Sequence, residues 1–391
     1  MTLLAPAPDP LAARWEERVM RAAHPVAYPL LRSIRRPAVR VPGLGVVVTE
    51  AALLRAVLMD TATYTKTGPG SPSDLWTPVL GPSVLLNMEG VDHLALRRKL
   101  GPLFSPSSVE PLAAASLATA SLIEGLRTGR DVNLVEVVKQ FASGMIGQLV
   151  GLDRVDDELF DRVSSITRVV RLSRPRLTPP QVLSARAVLA ELTAHARAAY
   201  ATGDEATVPG RMRCLGLSED EAMGAVGAFV LTGTETLVSY IPRLIALLVD
   251  SGWLPLIDAD RALIEPAIAE GLRVTTPSPV MLRSAAVSLG RVDAAIGTVR
   301  VRPGDRVILA TFAANRALGP FDPEANVAST LKQLWFGAGT HFCLGAPLAM
   351  AQIRLILGAV LDAPGALSIT SRAPARGVLI PSYASLVVRA S

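Results

Sequence analysis

The amino-acid sequence predicts a mainly α-helical protein with a smaller β part. Apolar residues recur at three-to-four spacing through most of residues 93–210, which is the period of an amphipathic helix. Short β-rich runs bounded by turn residues gather instead near both ends of the chain. Since no linker composition interrupts the 391 residues, we expect a single domain.

Turn and cap residues place the first elements. Residues 38–50 contain two β-rich runs on either side of Pro42-Gly43, which predicts a hairpin, and residues 50–60 have a helical pattern. Residues 65–86 are rich in Gly, Pro, Ser and Thr and predict a long loop, which in a compact domain is usually functional.

Helices dominate the middle of the chain. The period predicts them at residues 109–125, 132–151, 156–170 and 181–200, with a break at 173–180 and a loop at 202–216. Ser218-Glu219-Asp220-Glu221 is a capping box that predicts the start of a long helix reaching about residue 248. Residues 266–273 predict a further helix, with Pro266 near its first position.

The pattern changes after residue 284. Strands are predicted at 284–289, 299–301 and 306–309, and a Gly-rich stretch follows at 336–345. A helix at 348–361 and short strands within 367–388 complete the chain.

Composition argues against several classes of protein. Half of the residues are hydrophobic and 19% are charged, which is typical of a globular core. The net charge is +5, but the basic residues are mostly scattered, whereas a nucleic-acid binder usually concentrates them in a stripe. We therefore expect no nucleic-acid binding, and a basic patch would rather dock an acidic protein partner.

Cysteine usage and apolar stretches bear on localisation. The two cysteines, Cys214 and Cys343, make no disulfide framework and favour a reducing compartment; Cys214 is interpreted as structural. Residues 1–30 resemble neither a signal peptide nor a membrane anchor. The apolar stretch 222–249 contains charged residues and a proline, which favours a buried helix over a membrane span. The prediction is a soluble, cytoplasmic protein.

The strongest chemical signal is Phe-Gly-Ala-Gly-Thr-His-Phe-Cys-Leu-Gly at residues 336–345, directly before a helix. A cysteine at a helix N-terminus is expected to have a lowered thiol pKa, because the helix dipole and free N–H groups stabilise the thiolate. Glycines let the backbone approach a large flat ligand. Phe336 offers an apolar plane beside the sulfur, and His341 can donate a hydrogen bond to an anion. Without a further signal, such a loop is more often a structural turn.

This loop closely resembles the haem-binding signature of the cytochrome P450 family, Phe-Gly-x-Gly-x-His-x-Cys-x-Gly. Its six fixed residues are all present: Phe336, Gly337, Gly339, His341, Cys343 and Gly345. The resemblance implies a P450 fold, with a long distal helix over haem b and the cysteine loop beneath it. It also implies that Cys343 is the proximal iron ligand and that His341 contacts a haem propionate. Thiolate ligation favours O–O cleavage.

Glu270 and Arg273 stand at i and i+3, and an isolated pair of this kind is usually a surface ion pair. The same spacing recurs at Glu124 and Arg127. About 70 residues before the cysteine, however, the first pair resembles the buried Glu-x-x-Arg of the family, which helps to hold the cysteine loop.

Thr232-Gly233-Thr234-Glu235-Thr236 lies inside the long predicted helix, although Gly and Thr weaken a helix interior. A broken local rule often marks a functional site. The segment resembles the family's distal helix, with Thr232 in place of a small residue. By resemblance, Gly233 leaves room for O2 where a weakened helix opens a groove, and Glu235 and Thr236 are the acid–alcohol pair that delivers protons.

Further cationic residues fit a haem site. His93 and Arg97, at i and i+4, could be an ordinary helix-surface pair. With haem present they resemble the family's propionate-binding pair, and Arg283 matches a further propionate-binding arginine. Several donors around two carboxylates provide reasonable charge compensation.

The resemblance covers about residues 38–388 but has departures. Ala325 stands where the family usually has an arginine that joins the Glu-x-x-Arg network, and Arg316 is a candidate to compensate for it. After the cysteine, Met350 and Gln352 replace a usual charge pair. These departures bear on stability or partner docking rather than on the chemistry at the iron.

The predicted function is a monooxygenase that inserts one oxygen atom from O2 into a small hydrophobic substrate by hydroxylation or epoxidation. Terpenoids, steroids, fatty acyl chains and polyketides all fit. Since the chain has no flavin or ferredoxin domain, electrons are expected from a separate ferredoxin and ferredoxin reductase, and the protein is expected to be a monomer. A peroxide-driven enzyme and a non-enzymatic haem sensor or carrier are the alternatives; the pair Glu235 and Thr236 argues against both.

Overall fold

The computed structural model describes residues 10–114, 118–152, 158–170, 176–286 and 294–391. Helices dominate these residues, as predicted. They are α1 Pro10–Ala23, α2 Ala27–Ser33, α3 Ala51–Met59, α4 Pro72–Leu80, α5 Gly90–Leu100, α6 Pro106–Ala114, α7 Ala118–Arg127, α8 Leu134–Val150, α9 Leu159–Arg168, α10 Pro179–Thr202, α11 Val208–Cys214, α12 Glu219–Asp250, α13 Leu254–Ala259, α14 Ile264–Val274, α15 Thr311–Arg316 and α16 Ala346–Leu361.

The β part is smaller and gathers near the ends of the chain. Its strands are β1 Ala38–Val41, β2 Gly45–Val48, β3 Tyr64–Thr65, β4 Val132–Asn133, β5 Met281–Ala285, β6 Ala295–Ile296, β7 Val299–Arg300, β8 Arg306–Leu309, β9 Leu367–Pro374 and β10 Tyr383–Ala390. They form a five-stranded sheet in the order β1-β2-β8-β5-β3, a three-stranded sheet β4-β10-β9, and the pair β6-β7.

The predicted hairpin is confirmed as β1 and β2, paired antiparallel with Ala38 opposite Val48. Strand β2 then runs parallel to β8. Gly45 has φ of 113°, and a Cβ there would lie 2.1 Å from the backbone oxygen of Arg306. Only glycine therefore allows the hairpin to approach the rest of the sheet this closely.

The long helix predicted from Ser218 is α12. The capping box is confirmed, since Ser218 Oγ accepts from the Glu221 amide and Glu221 accepts from the Ser218 amide. By length and composition α12 could cross a membrane, but 67% of its most apolar window is buried inside the protein. The core helix of a globular protein passes the same test, which agrees with the buried helix that the sequence predicts.

Two predicted loops contain helices. Helix α4 lies within residues 65–86 and α11 within residues 202–216. Both begin with proline in the first helical turn, after the N-cap residues Ser71 and Thr207. Pro and Gly in these segments favour a loop, but proline is also well placed in the first turn of a helix.

Some boundaries differ from the prediction. Helices α6 and α7 lie where one helix was expected at 109–125, and residues 115–117 between them are outside the described part. The strand expected at 284–289 begins earlier, as β5, and residues 287–289 are not described. The start of the helix expected at 156–170 also falls outside, and α9 begins at Leu159.

Candidate active site around Cys343

The cysteine loop is shaped by two short 3₁₀ turns, Leu334–Phe336 and Gly339–His341, before α16 begins at Ala346. The amide of Cys343 donates to the backbone oxygen of Phe336 at 2.9 Å, which closes the loop. At Gly339, where φ is 66°, a Cβ would lie 3.1 Å from the backbone oxygen of Leu58. The loop is therefore pressed against the end of α3.

Burial raises the pKa of the Cys343 thiol, although the amides of Gly345 and Ala346 act in the opposite direction. The lowered pKa expected from the sequence is therefore wrong for the protein chain alone, because desolvation outweighs the helix N-terminus. The side chain nevertheless remains accessible to solvent, so a ligand can reach the sulfur. A coordinating thiol is deprotonated by its metal.

Three cationic side chains and two imidazoles form a cluster that includes this thiol. Lys66, Arg97 and Cys343 all interact electrostatically, and the rings of His93 and His341 lie 4.2 Å apart. Strand β3 pairs with β5 so that Thr65 faces Ser284, and this register brings Lys66 alongside Arg283.

Burial and neighbouring cations lower the pKa values of the basic groups in this cluster. Burial and the charge of Arg283 lower the pKa of Lys66 to about 7. Burial and the neighbouring His341 lower the pKa of His93 to about 4, and burial lowers that of Arg283 to about 10. The pKa of His341 is also lowered, first by burial. A cluster of this kind is stabilised by an anion.

Glu89 is the acid of this cluster. It accepts from His341 Nε2 at 2.6 Å, from the Lys66 amide and from Thr65 Oγ1 at 3.2 Å. Burial alone would raise the pKa of Glu89, but these bonds lower it. In the described part of the chain, His341 Nδ1 and Arg283 Nε are buried without a hydrogen-bond partner. One carboxylate therefore leaves a guanidinium donor of Arg283 unsatisfied.

No group of three or more His, Cys, Asp or Glu that could hold a metal ion occurs among the described residues. One thiol, an excess of basic groups and unsatisfied donors suit a different kind of guest. A flat, dianionic prosthetic group that brings its own metal and needs one protein ligand fits this donor set. Haem, with two propionates, is such a group.

The segment of α12 at residues 232–236 remains a continuous α-helix. Thr232, Thr234 and Thr236 donate their hydroxyls to carbonyls one turn earlier. The weak helix formers therefore do not interrupt the helix, and the opened groove stays a prediction, because hydroxyl bonds of this kind tend to bend a helix. The room expected at Gly233 is present, since a Cβ there would meet only Met145 Cε at 3.8 Å.

Glu235 and Thr236 are both half-buried and point to different partners. Glu235 Oε1 accepts from Thr167 Oγ1 on α9 at 2.8 Å. Thr236 Oγ1 lies 3.1 Å from the oxygen of Thr232 and 3.3 Å from that of Gly233. The sequence pointed to Glu235 and Thr236 but gave no signal for Thr167.

Glu270 and Arg273 are fully buried and form two hydrogen bonds, at 2.9 and 2.6 Å. Arg273 also donates to the backbone oxygens of Asn315, Gly319 and Pro320. Glu270 accepts from the amides of Asp322 and Ala328, at 3.3 and 2.7 Å. Backbone amides thus take the place of the arginine that the family usually has at position 325. The pair of Glu270 and Arg273 holds the chain that leads to the cysteine loop.

Arg316 is not the compensating member of this pair. It donates to Glu16 on α1 at 2.7 Å, to Tyr28 Oη and to the backbone oxygen of Val274. Glu16 also binds the buried Arg243 of α12. Arg316 therefore belongs to a second network that ties α1 to α12.

The two departures after the cysteine lie in the core. Gln352 is buried, and its Nε2 lies 2.9 Å from Met145 Sδ. Met350 is partly buried against the main cluster. Since Met145 also lies closest to Gly233, α8 bridges the cysteine helix α16 and the segment of α12 opposite.

Lys66, Glu89 and Thr167 were missed by the sequence reasoning. Lys66 lies in a segment predicted only as a loop, and Glu89 precedes the helix that holds His93. Isolated residues of these types have no motif spacing, so only the fold brings them to the site.

No family model matches the chain, but curated relatives and solved structures do. It is 30% identical over 302 residues to cytochrome P450 107B1 of Saccharopolyspora erythraea, covering 73% of this chain and 71% of that protein. It is 29% identical over 291 residues to the mycinamicin IV hydroxylase/epoxidase of Micromonospora griseorubida, covering 71% of each.

Solved structures share the fold. P450BioI, in complex with an acyl carrier protein ligated to hexadec-9Z-enoic acid, superposes with a TM-score of 0.79 over 94% of this chain and 99% of that one, at 21% identity. A mutant of P450 EryK in complex with erythromycin B gives a TM-score of 0.76 over 98% of both chains, at 23% identity. The predicted fold is confirmed, and the chain belongs to the cytochrome P450 family of haem-dependent monooxygenases.

Proposed function

We propose that Cys343 holds the iron of haem b and that the chain uses O2 to oxygenate a largely apolar small molecule. The observation that carries this proposal is the position of Cys343, in a complete signature loop, beside a cluster of basic side chains. When bound, the haem would supply oxygen activation. The residues of the chain bind it, orient the substrate and supply protons.

Two propionates would satisfy the donors that the protein leaves unpaired. Arg97, Arg283 and a protonated Lys66 face the single carboxylate of Glu89, which leaves an excess of two positive charges. His93 and His341 complete the set. Glu89 fixes His341 through Nε2 and leaves its buried Nδ1 free for a further partner.

On the opposite side of the site, Gly233 leaves space and Thr236 presents a hydroxyl. We assign proton delivery to Glu235 and Thr236, with Thr167 holding the carboxylate of Glu235 in place. A positioned acid of this kind typically contributes about 10²–10⁴-fold to a proton-transfer step.

The substrate would be largely apolar, because the candidate substrate-facing segments carry few charges. These are residues 64–86, which include α4, and residues 226–236, 276–281 and 382–383. Residues 171–180 are a further candidate, which carries three arginines, and residues 171–175 lie outside the described part. A terpenoid, steroid, fatty acyl chain or polyketide would fit. The relative named for mycinamicin IV and the neighbour bound to erythromycin B favour a polyketide among these.

Electrons would come from a small acidic ferredoxin, itself reduced by a ferredoxin reductase. Four basic residues are candidates for docking: Arg98, Lys99, Lys332 and Arg354. Lys99 pairs with Glu221 and Arg354 with Glu265. Arg98 and Lys332 are exposed and have no acid partner within the described ranges. We therefore assign the docking contact to Arg98 and Lys332, and we propose that the enzyme acts as a monomer.

The deciding experiment is turnover by the haem-loaded protein. The reduced, CO-bound spectrum should show the red-shifted band of thiolate ligation, and a screen by haem spin-state shift should identify a substrate. Product that forms with ferredoxin, reductase and NAD(P)H supports the proposal. Product that forms only with hydrogen peroxide, or haem binding without turnover, would favour the peroxide-driven enzyme or the haem carrier instead.

A further inference from the structure

A cavity lies between α1, α2, the end of α12 and α15. Its volume is about 740 Å³, which is within the range of small-molecule pockets. None of the residues that surround Cys343 lines it. It is therefore a separate space from the proposed haem site.

The walls of this cavity are mainly apolar. Its buried lining includes Ala12, Leu247, Trp253, Phe312, Ala314 and Phe321. At the rim, Ala13 and Leu318 are exposed, and Leu318 is among the few large apolar side chains with more than 40% of their surface in water. An apolar guest would cover this surface, at about 25 cal/mol for each Å² removed from water.

The charges around the cavity leave one cation unpaired. Glu16 is bound by Arg243 and Arg316, and Glu17 is bound by Arg21 and Arg32. Glu50 accepts from two amides at the start of α3.

With these three acids engaged, Arg35 remains at the rim, exposed, with no acid partner in the part of the chain that the structure describes. The opening therefore favours an anion.

The cavity also touches the support of the cysteine loop. Gly319 and Pro320 line it, and their backbone oxygens accept from Arg273 of the buried pair. A molecule in the cavity would brace this segment, and its binding would add to the stability of the folded protein by mass action.

We propose that this cavity binds an amphipathic carboxylate, with its apolar body against the accessible side chains of Ile34 and Leu318 and its carboxylate on Arg35. This guest is a second ligand and not the molecule that is oxygenated. The inference rests on the cavity and its charges, and it holds whatever the substrate of the enzyme is.

The test is calorimetric titration of the haem-loaded enzyme with decanoate, while a phenylimidazole occupies the iron and the substrate pocket. We expect one decanoate to bind per chain. Decanol should bind about ten-fold more weakly, because a charge-assisted hydrogen bond is lost. Decylammonium should not bind. Decanoate should also raise the melting temperature.

Two variants locate the site. Ala313→Trp, which fills the cavity, should abolish binding. Arg35→Gln should reduce the affinity for decanoate to that for decanol. Arg127→Gln, at an exposed arginine away from the cavity, should leave decanoate binding unchanged, and the haem content of each variant reports whether it folds.

Competition between decanoate and phenylimidazole, equal binding of decylammonium, or no binding at all would overturn the proposal.

Discussion

The hydroxyl of Thr167 lies 2.8 Å from a carboxylate oxygen of Glu235 and joins α9 to the middle of α12. Thr167 is buried, and its hydroxyl is also 2.9 Å from the backbone oxygen of Ser164. The acid proposed to deliver protons is therefore held by a neutral partner on another helix. This contact makes the position of Glu235 depend on α9.

Replacing Thr167 by Val removes the hydroxyl and keeps the shape of the side chain. A hydrogen bond to a charged group contributes about 1.5–3 kcal/mol, so Glu235 should lose its preferred position. We expect several-fold more hydrogen peroxide released per NAD(P)H consumed, measured with a substrate found by spin-state screening. Thr167→Ser should behave like the unmodified enzyme. Equal peroxide release from the Val and Ser variants would show that the contact is only structural.

Thr236→Ala tests the alcohol of the proposed pair. Loss of the hydroxyl should raise peroxide release and lower the product formed per electron pair, because proton delivery is disturbed. Thr234→Ala is a matched control, since Thr234 is fully buried in the same helix and bonds only to the Val230 oxygen. Unchanged coupling in Thr236→Ala, or the same change in both variants, would count against the role of Thr236.

Much of the fold could be predicted because its signals are local. The capping box at Ser218 marked the start of α12, and the Pro-Gly turn marked the β1–β2 hairpin. Helices α4 and α11 were missed because proline stands at a helix start as readily as in a loop.

The residues of the site also divide into those with a local sequence signal and those without one. Cys343 and His341 lie in one contiguous motif, so the sequence points to them directly. Glu89 meets His341 only because α5 folds against the cysteine loop, 252 positions away in sequence. Arg316 was a candidate to compensate for the missing arginine of the Glu270–Arg273 network, but its side chain turns to Glu16.

Glu270→Gln tests the buried pair. Arg273 would keep its charge without a carboxylate, and breaking a buried pair typically costs about 3–5 kcal/mol. We expect little haem-loaded protein, measured by the ratio of haem to protein absorbance after purification. Glu265→Gln is the control on the same helix, because its pair with Arg354 is exposed and should contribute at most about 1 kcal/mol. Normal haem content in Glu270→Gln would contradict the assignment.

Charge reversal tests the docking contact. Arg98→Glu and Lys332→Glu should slow reduction by an acidic ferredoxin several-fold at low salt, because both side chains are exposed without an acid partner in the described part of the chain. The difference should shrink at high salt, where charges are screened. Arg354→Gln should have a smaller effect, since that charge is already paired. Stopped-flow reduction rates that are the same in all variants would place docking elsewhere.

Lys66→Met tests the buried cation through pH. In the haem-free protein the pKa of Lys66 is lowered to about 7 from its ordinary 10.5, so between these values the unfolded chain holds a proton that the folded chain has released. Stability should therefore rise with pH above about 7, and the free energy of unfolding should show a weaker rise in Lys66→Met. Below about 7 the variant should be the more stable protein. Haem should reverse this order, because propionates favour the charged lysine. Urea unfolding of both proteins, with and without haem, measures the difference; parallel pH curves would mean that Lys66 is not the buried cation of the site.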